Sequence, residues 1–192
     1  MPDKSLSLPL RRLFGLSDEF NEFLLEPVAV GPAPITGAGD FESETLRRIW
    51  LFFEQNRGSR AMLSRADIDP GDLRHVLSRV ALIEVYHEPR RYRMRLVGTH
   101  LTSAFGFDPT GKWVDQWPDA TGQQLLETTF ELTVAAKRAH YMRRRASIGR
   151  ATLLFETMIL PLSSDGEIIN MLLTIGAPWQ SNRTLAPPVG KI

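Results

Sequence analysis

Between residues 80 and 99 the chain changes its period, and that change limits what it can fold into. "YRMRLVGT" (92–99) sets charged residues on one parity and apolar ones on the other. Successive strand side chains point to opposite faces, so this segment reads as a strand with Tyr92, Met94 and Leu96 buried and Arg91, Arg93 and Arg95 outside. "ALIEVY" (81–86) reads as its hairpin partner across the turn "EPR". Upstream the period is helical: in "ESETLRRIWLFFEQNRG", Leu46, Ile49, Trp50 and Phe53 form one apolar stripe and Gly58 is the stop. Downstream, "ATGQQLLETTFELTVAAKRA" gives one long helix, with a broad apolar face from Leu125, Leu126, Phe130, Leu132 and Val134. "HYMRRRAS", "TLLFETMILPL" and "EIINMLLTIGA" then read as three strands, the last two joined by the turn "SSDG" at 163–166. This order predicts an α+β domain: a five-stranded antiparallel sheet with helices gathered on one face.

Between these elements the signals are shorter. A brief helix is expected from Pro70 to near Ser78, capped by Asp69. Gly106, Pro109, Gly111 and Pro118 break residues 100–119 into turns and short helical pieces. At the N-terminus, "SDEFNEFLLE" predicts a helical extension with Ser17 as its cap, followed by a Pro/Gly-rich linker over 27–40. The expected division is an extension over 1–43, a domain over 44–179 and a tail over 180–192.

Composition narrows the function. A formal net charge of +1 argues against a dedicated nucleic-acid binder, which carries a basic excess. The chain has no cysteine, which removes disulfides, thiolate catalysis and cysteine-ligated zinc and fits a cytoplasmic protein. No apolar run reaches the roughly 18 residues that span a bilayer, and Asp18, Glu19 and Glu22 interrupt any signal-peptide core. "GFDPTGK" has the wrong spacing for a phosphate loop, and no Ser-His-Asp arrangement has a recognisable elbow, so an enzyme is not expected.

Taken in order, "RADIDP", "LVGT", "FGFDPTGKWVD" and "ETMILPLSSDG" resemble the PAS-like family widespread in alphaproteobacteria. The resemblance covers 44–179, with Leu63 standing where the family often has proline before the Ser-Arg-Ala-Asp run. It implies a sensor or protein-interaction module, often standing alone. It also implies a cavity bounded by the long helix. The residues placed to line it are Met94, Phe105, Phe107, Trp113, Trp117, Phe130, Thr157 and Met171, with Thr157 as a lone polar anchor and the aromatics closing the mouth. A small-molecule receptor and a solid core without a cavity are both open on this reading.

No motif names a cofactor. His100 and His140 are badly placed for a haem ligand on the long helix, and a light-driven flavin–thiol adduct needs a cysteine. The arginines of 91–95 are expected to clothe the outer face, with Glu84 as a partner to one of them. Arg143, Arg144 and Arg145 form a second basic run that Glu156 on the next strand would partly neutralise. Leu51 and Phe52 lie off the stripe of their helix and predict an apolar patch through which two copies pair. The expected partners are thus a second copy, a regulatory protein and, on the alternative reading, a small-molecule ligand.

Overall fold

The computed structural model describes residues 23–25, 30–105, 107–118, 120–148 and 151–179. In chain order they form strands β1 (Phe23–Leu25) and β2 (Val30–Pro34), helix α1 (Glu44–Arg57) and the hairpin β3 (Val80–His87) and β4 (Arg90–Val97). A short helix α2 (Thr99–Phe105) and the long α3 (Ala120–Ala136) precede strands β5 (His140–Ile148), β6 (Ala151–Ser163) and β7 (Ile169–Trp179). The sheet runs β1-β5-β6-β7-β3-β4, every pairing antiparallel, with β2 also on β5. The expected α+β class and its five antiparallel strands are present as β3 to β7.

The N-terminal part corrects the sequence reading. Residues 23–25, expected in a helix, are strand β1, and residues 30–34, expected in a linker, are strand β2. The rest of the expected helix over 17–26 lies outside the described residues. The physical reason is the edge of β5, whose unpaired backbone groups accept a partner strand. Pro32 and Pro34 fit such a partner because proline is tolerated in an edge strand.

The helices do not all gather on one face. Leu46, Ile49 and Phe53 of α1 join a core with Leu82, Leu160 and Leu173. Phe130 and Val134 of α3 join a second core with Ile83, Ile159 and Leu172. Neighbouring residues of one strand point oppositely, so the two helices lie on opposite faces of the sheet. The sequence sign is the unbroken apolar run Met158 to Leu162, all buried, which belongs to a strand covered on both sides. Each of α1's three buried side chains contributes on the order of 1.5–3 kcal/mol by leaving water. Ser43 caps the helix by accepting from the Leu46 amide at 3.4 Å, and Gly58 ends it as expected, at φ 57°.

Residues 70–79 form tight turns and a 3₁₀ segment, Leu77–Arg79, in place of the expected helix. Their bonds skip three residues: Leu73 to Pro70, Val76 to Leu73, Arg79 to Val76. "RADIDP" folds on itself, with the Asp67 carboxylate accepting from the Ser64 amide at 2.7 Å and from Arg60 at 2.8 Å. Leu63, at the position where proline was expected, is buried and its carbonyl accepts the Ser163 amide at 2.9 Å.

Candidate functional site

Three of the expected pocket residues come together. Phe105, at the end of α2, and Phe107 both stand edge-on to Trp117, at 5.0 and 5.1 Å between ring centroids. Phe105 and Trp117 pack against the core on the α3 side of the sheet. Met94 and Phe130 belong to that core and are buried, together with Ile83, Ile159 and Leu172. Thr157 is half-buried on the same face, since its register partner Met142 belongs to this core. These side chains form part of the packed core between α3 and the sheet.

Two expected pocket residues lie on the opposite side. Trp113 stands edge-on to Tyr86 at 5.0 Å between centroids and carries the Arg91 guanidinium 4.0 Å above its ring. Tyr86 and Arg91 are register partners on the outward parity of the hairpin, so Trp113 clothes the outer face. Met171 packs with the α1 core. Thr157 and Met171, expected to line one cavity, are separated by the register, in which Ile159 is opposite Thr174 and Leu160 opposite Leu173. Leu96 is a further correction. A register shift between Leu82 and Ile83 turns Leu96 outward, 48% exposed, and gives its inward place to Val97.

Arg91, Arg93 and Arg95 of β4 do more than cover a wet surface. Arg91 grips Asp115 through Nε at 2.7 Å and Nη2 at 3.1 Å, Arg93 donates to the Gly111 carbonyl at 3.2 Å, and Arg95 donates to Glu84 at 2.7 Å. Two of these arginines reach the connector after α2, which also pairs with the outer edge of β4. Gly111 N–H donates to Met94 O at 2.6 Å, and Met94 N–H to Lys112 O at 2.9 Å. The turn "PTGK" makes this approach with Gly111 at φ 82°, a left-handed conformation suited to glycine. The edge of β4 is therefore covered by the protein itself.

Between β4, the connector and α3 lies an open groove of about 620 Å³ that includes Arg90, Arg91, Tyr92, Asp115 and Glu131 in its wall. The Tyr92 hydroxyl donates to Glu131 at 2.7 Å and Arg90 reaches the same carboxylate at 3.2 Å. Burial, and then the Glu131 carboxylate, push the Tyr92 phenol well above its ordinary range. Arg90 and Arg91 are paired with Glu131 and Asp115, and Glu127 adds a further carboxylate to the wall. The sequence held no local sign of it, since Arg90 and Glu131 are separated by 41 positions.

The most demanding polar arrangement is at the start of α1. Glu156 is 0% exposed and accepts the amides of Glu42 at 3.0 Å and Ser43 at 2.7 Å. Its register partner Arg143 donates Nε at 2.7 Å and also bonds the Asp40 carbonyl. A carboxylate beneath the first turn complements the helix dipole, and the ion pair fastens α1 to the strands β5 and β6. Glu156 thus neutralises Arg143, as the sequence suggested; the side chains of Arg144 and Arg145 lie outside the described residues.

The Leu51 side of α1 faces solvent, 55% exposed. Phe52, expected beside it in an open patch, is half-buried against the α1 core, edge-on to Phe53 at 5.7 Å. His140 is buried, with Nδ1 3.0 Å from the Arg138 carbonyl, and burial holds its imidazole below its ordinary range. Among the described residues no group of three His, Asp or Glu side chains could hold a metal ion, and no helix is long and apolar enough to cross a membrane.

A family model described as "PAS domain" matches residues 41–175. None of the curated proteins matches the chain.

Proposed function

The chain belongs to the PAS domain family, and from that premise we propose that it is a signalling module that acts by protein contact, pairing with a second copy through the outer side of α1. The observation that carries this reading is Leu51, a large apolar side chain 55% exposed on a helix whose N-terminus is fixed to the sheet by Glu156. A rigidly held helix with an uncovered apolar residue suits a two-fold contact, in which the same residues of both chains meet. An antiparallel pairing centred on Leu51 would bring the two copies of Leu51 together, with the exposed edge of Phe52 beside the contact.

Sedimentation velocity of the wild-type and Leu51→Glu proteins tests it. The wild type is expected to sediment as a dimer and the variant as a monomer with an unchanged circular dichroism spectrum. A charge at a site open to solvent shifts folding stability by no more than about 0.5 kcal/mol, so loss of the dimer can be separated from unfolding. A wild type that stays monomeric at every concentration, or a variant that stays dimeric, would count against the reading.

A further inference from the structure

Where α1 approaches the turn between α3 and β5 there is a second cavity, of about 330 Å³. Its floor is apolar, formed by Trp50 and Phe53 of α1 with Leu63, Leu160 and Leu162. Its rim is cationic. Arg57, Lys137 and Arg138 line it, and Glu54 is the one carboxylate among the described lining residues. Glu54 is fully engaged by Arg57, through two bonds of 3.0 Å. Three cations against one carboxylate leave two positive charges at the mouth. Among the described residues Lys137 and Arg138 make no ion pair.

Lys137 is also the residue that departs from local expectation. It is the one non-glycine residue with positive φ among those described, at 50°. A helix often ends on such a left-handed residue, but glycine or asparagine is the usual occupant because a Cβ is disfavoured there. The negative end of the α3 dipole accounts for a cation nearby, and not for placing it where the backbone favours glycine. Departures from a local rule of this kind concentrate at functional positions.

We propose that this cavity binds a small anionic amphiphile, its apolar chain against Trp50 and Phe53 and its carboxylate or phosphate head between Lys137 and Arg138. Ligand sites of this size class combine an apolar floor with a few placed polar groups, and the two cations supply the head-group contact. Four lining residues, Trp50, Phe53, Glu54 and Arg57, belong to α1, so an occupant touches the helix that carries Leu51. Binding here does not depend on pairing through Leu51 and is read on monomer or dimer alike.

Isothermal titration calorimetry of the full chain with sodium decanoate, decyl phosphate, sodium acetate and decyltrimethylammonium tests the proposal. Saturable binding of one decanoate or decyl phosphate per chain is expected, with acetate and the cationic amphiphile at least tenfold weaker. Comparing the two anions tells which head group is preferred. Lys137→Gly should weaken binding of the better anion at least fivefold while the melting temperature holds or rises, because glycine suits that backbone. Lys137→Arg should keep the affinity. The proposal is overturned if neither anion binds, if the cationic amphiphile binds as well, or if Lys137→Gly binds like the wild type. Adsorption to phosphatidylglycerol vesicles without uptake of monomeric decanoate would overturn it too.

Discussion

Glu156→Ala is expected to lower the unfolding free energy by about 3–5 kcal/mol, the cost of removing one partner from a buried ion pair. The carboxylate receives three donors at 2.7–3.0 Å: the Glu42 amide, the Ser43 amide and the Arg143 guanidinium. Alanine leaves all three without it, in a place where Ser43 is buried and Arg143 mostly so. Against a total stability of roughly 5–15 kcal/mol, such a loss is large. Urea unfolding of the two proteins measures it. The double variant Arg143→Leu/Glu156→Leu should be more stable than Glu156→Ala, because it strands no charge. A loss below about 1 kcal/mol for the single variant would mean that the pair does not anchor α1.

Gly98→Ala should cost about 3 kcal/mol for a different reason. A Cβ at this position would stand 2.5 Å from the carbonyl carbon and oxygen of Ser78, and closer still to the Leu77 carbonyl oxygen. All three are backbone atoms, so no side-chain rotation relieves the clash, and overpacking of this kind costs on the order of 1–3 kcal/mol or more. The glycine is also held from both sides: its amide donates to the Val80 carbonyl at 2.8 Å, and its carbonyl accepts from the Leu101 amide at 2.9 Å. The control is Gly39→Ala, where nothing lies within 4 Å of the added carbon. Thermal or urea unfolding should place that control within about 0.5 kcal/mol of the wild type. Equal stability of both variants would show that residues 77–78 yield freely to the added carbon.

The sequence revealed most where a segment's own period decided its structure. The stripe of Leu46, Ile49 and Phe53 and the alternation of Tyr92 and Met94 each point to the core they join. It revealed least where a partner far along the chain decides. Nothing in "VGPAP" announces pairing with β5, whose residues His140 to Arg143 are more than a hundred positions away. Trp113 reads as a pocket residue until Arg91 and Tyr86 are seen to hold it on the outer face. The unbroken run at 158–162 is the mark of burial on both sides, and in a strand of that kind parity alone does not tell which residues share a face, so Met171 and Thr157 separate. Glu156 carried its own signal. A carboxylate inside "LLFETMIL" must find a cation, and the neighbouring strand offers Arg143 in register.

The absence of cysteine allows a direct test of pairing through α1, because an introduced thiol is the only one in the chain. Leu51→Cys and Ile168→Cys replace two residues that are equally exposed, at 55%, one on α1 and the other in the turn before β7. A two-fold contact centred on α1 brings the introduced thiols of the two Leu51→Cys chains close enough to bridge, within about 7 Å between Cα atoms, and leaves the two copies of position 168 apart. Under mild oxidation at low protein concentration, Leu51→Cys is therefore expected to convert to a covalent dimer while Ile168→Cys stays monomeric on a non-reducing gel. Equal, slow cross-linking of the two variants would contradict the assignment of α1 as the contact through which this protein works.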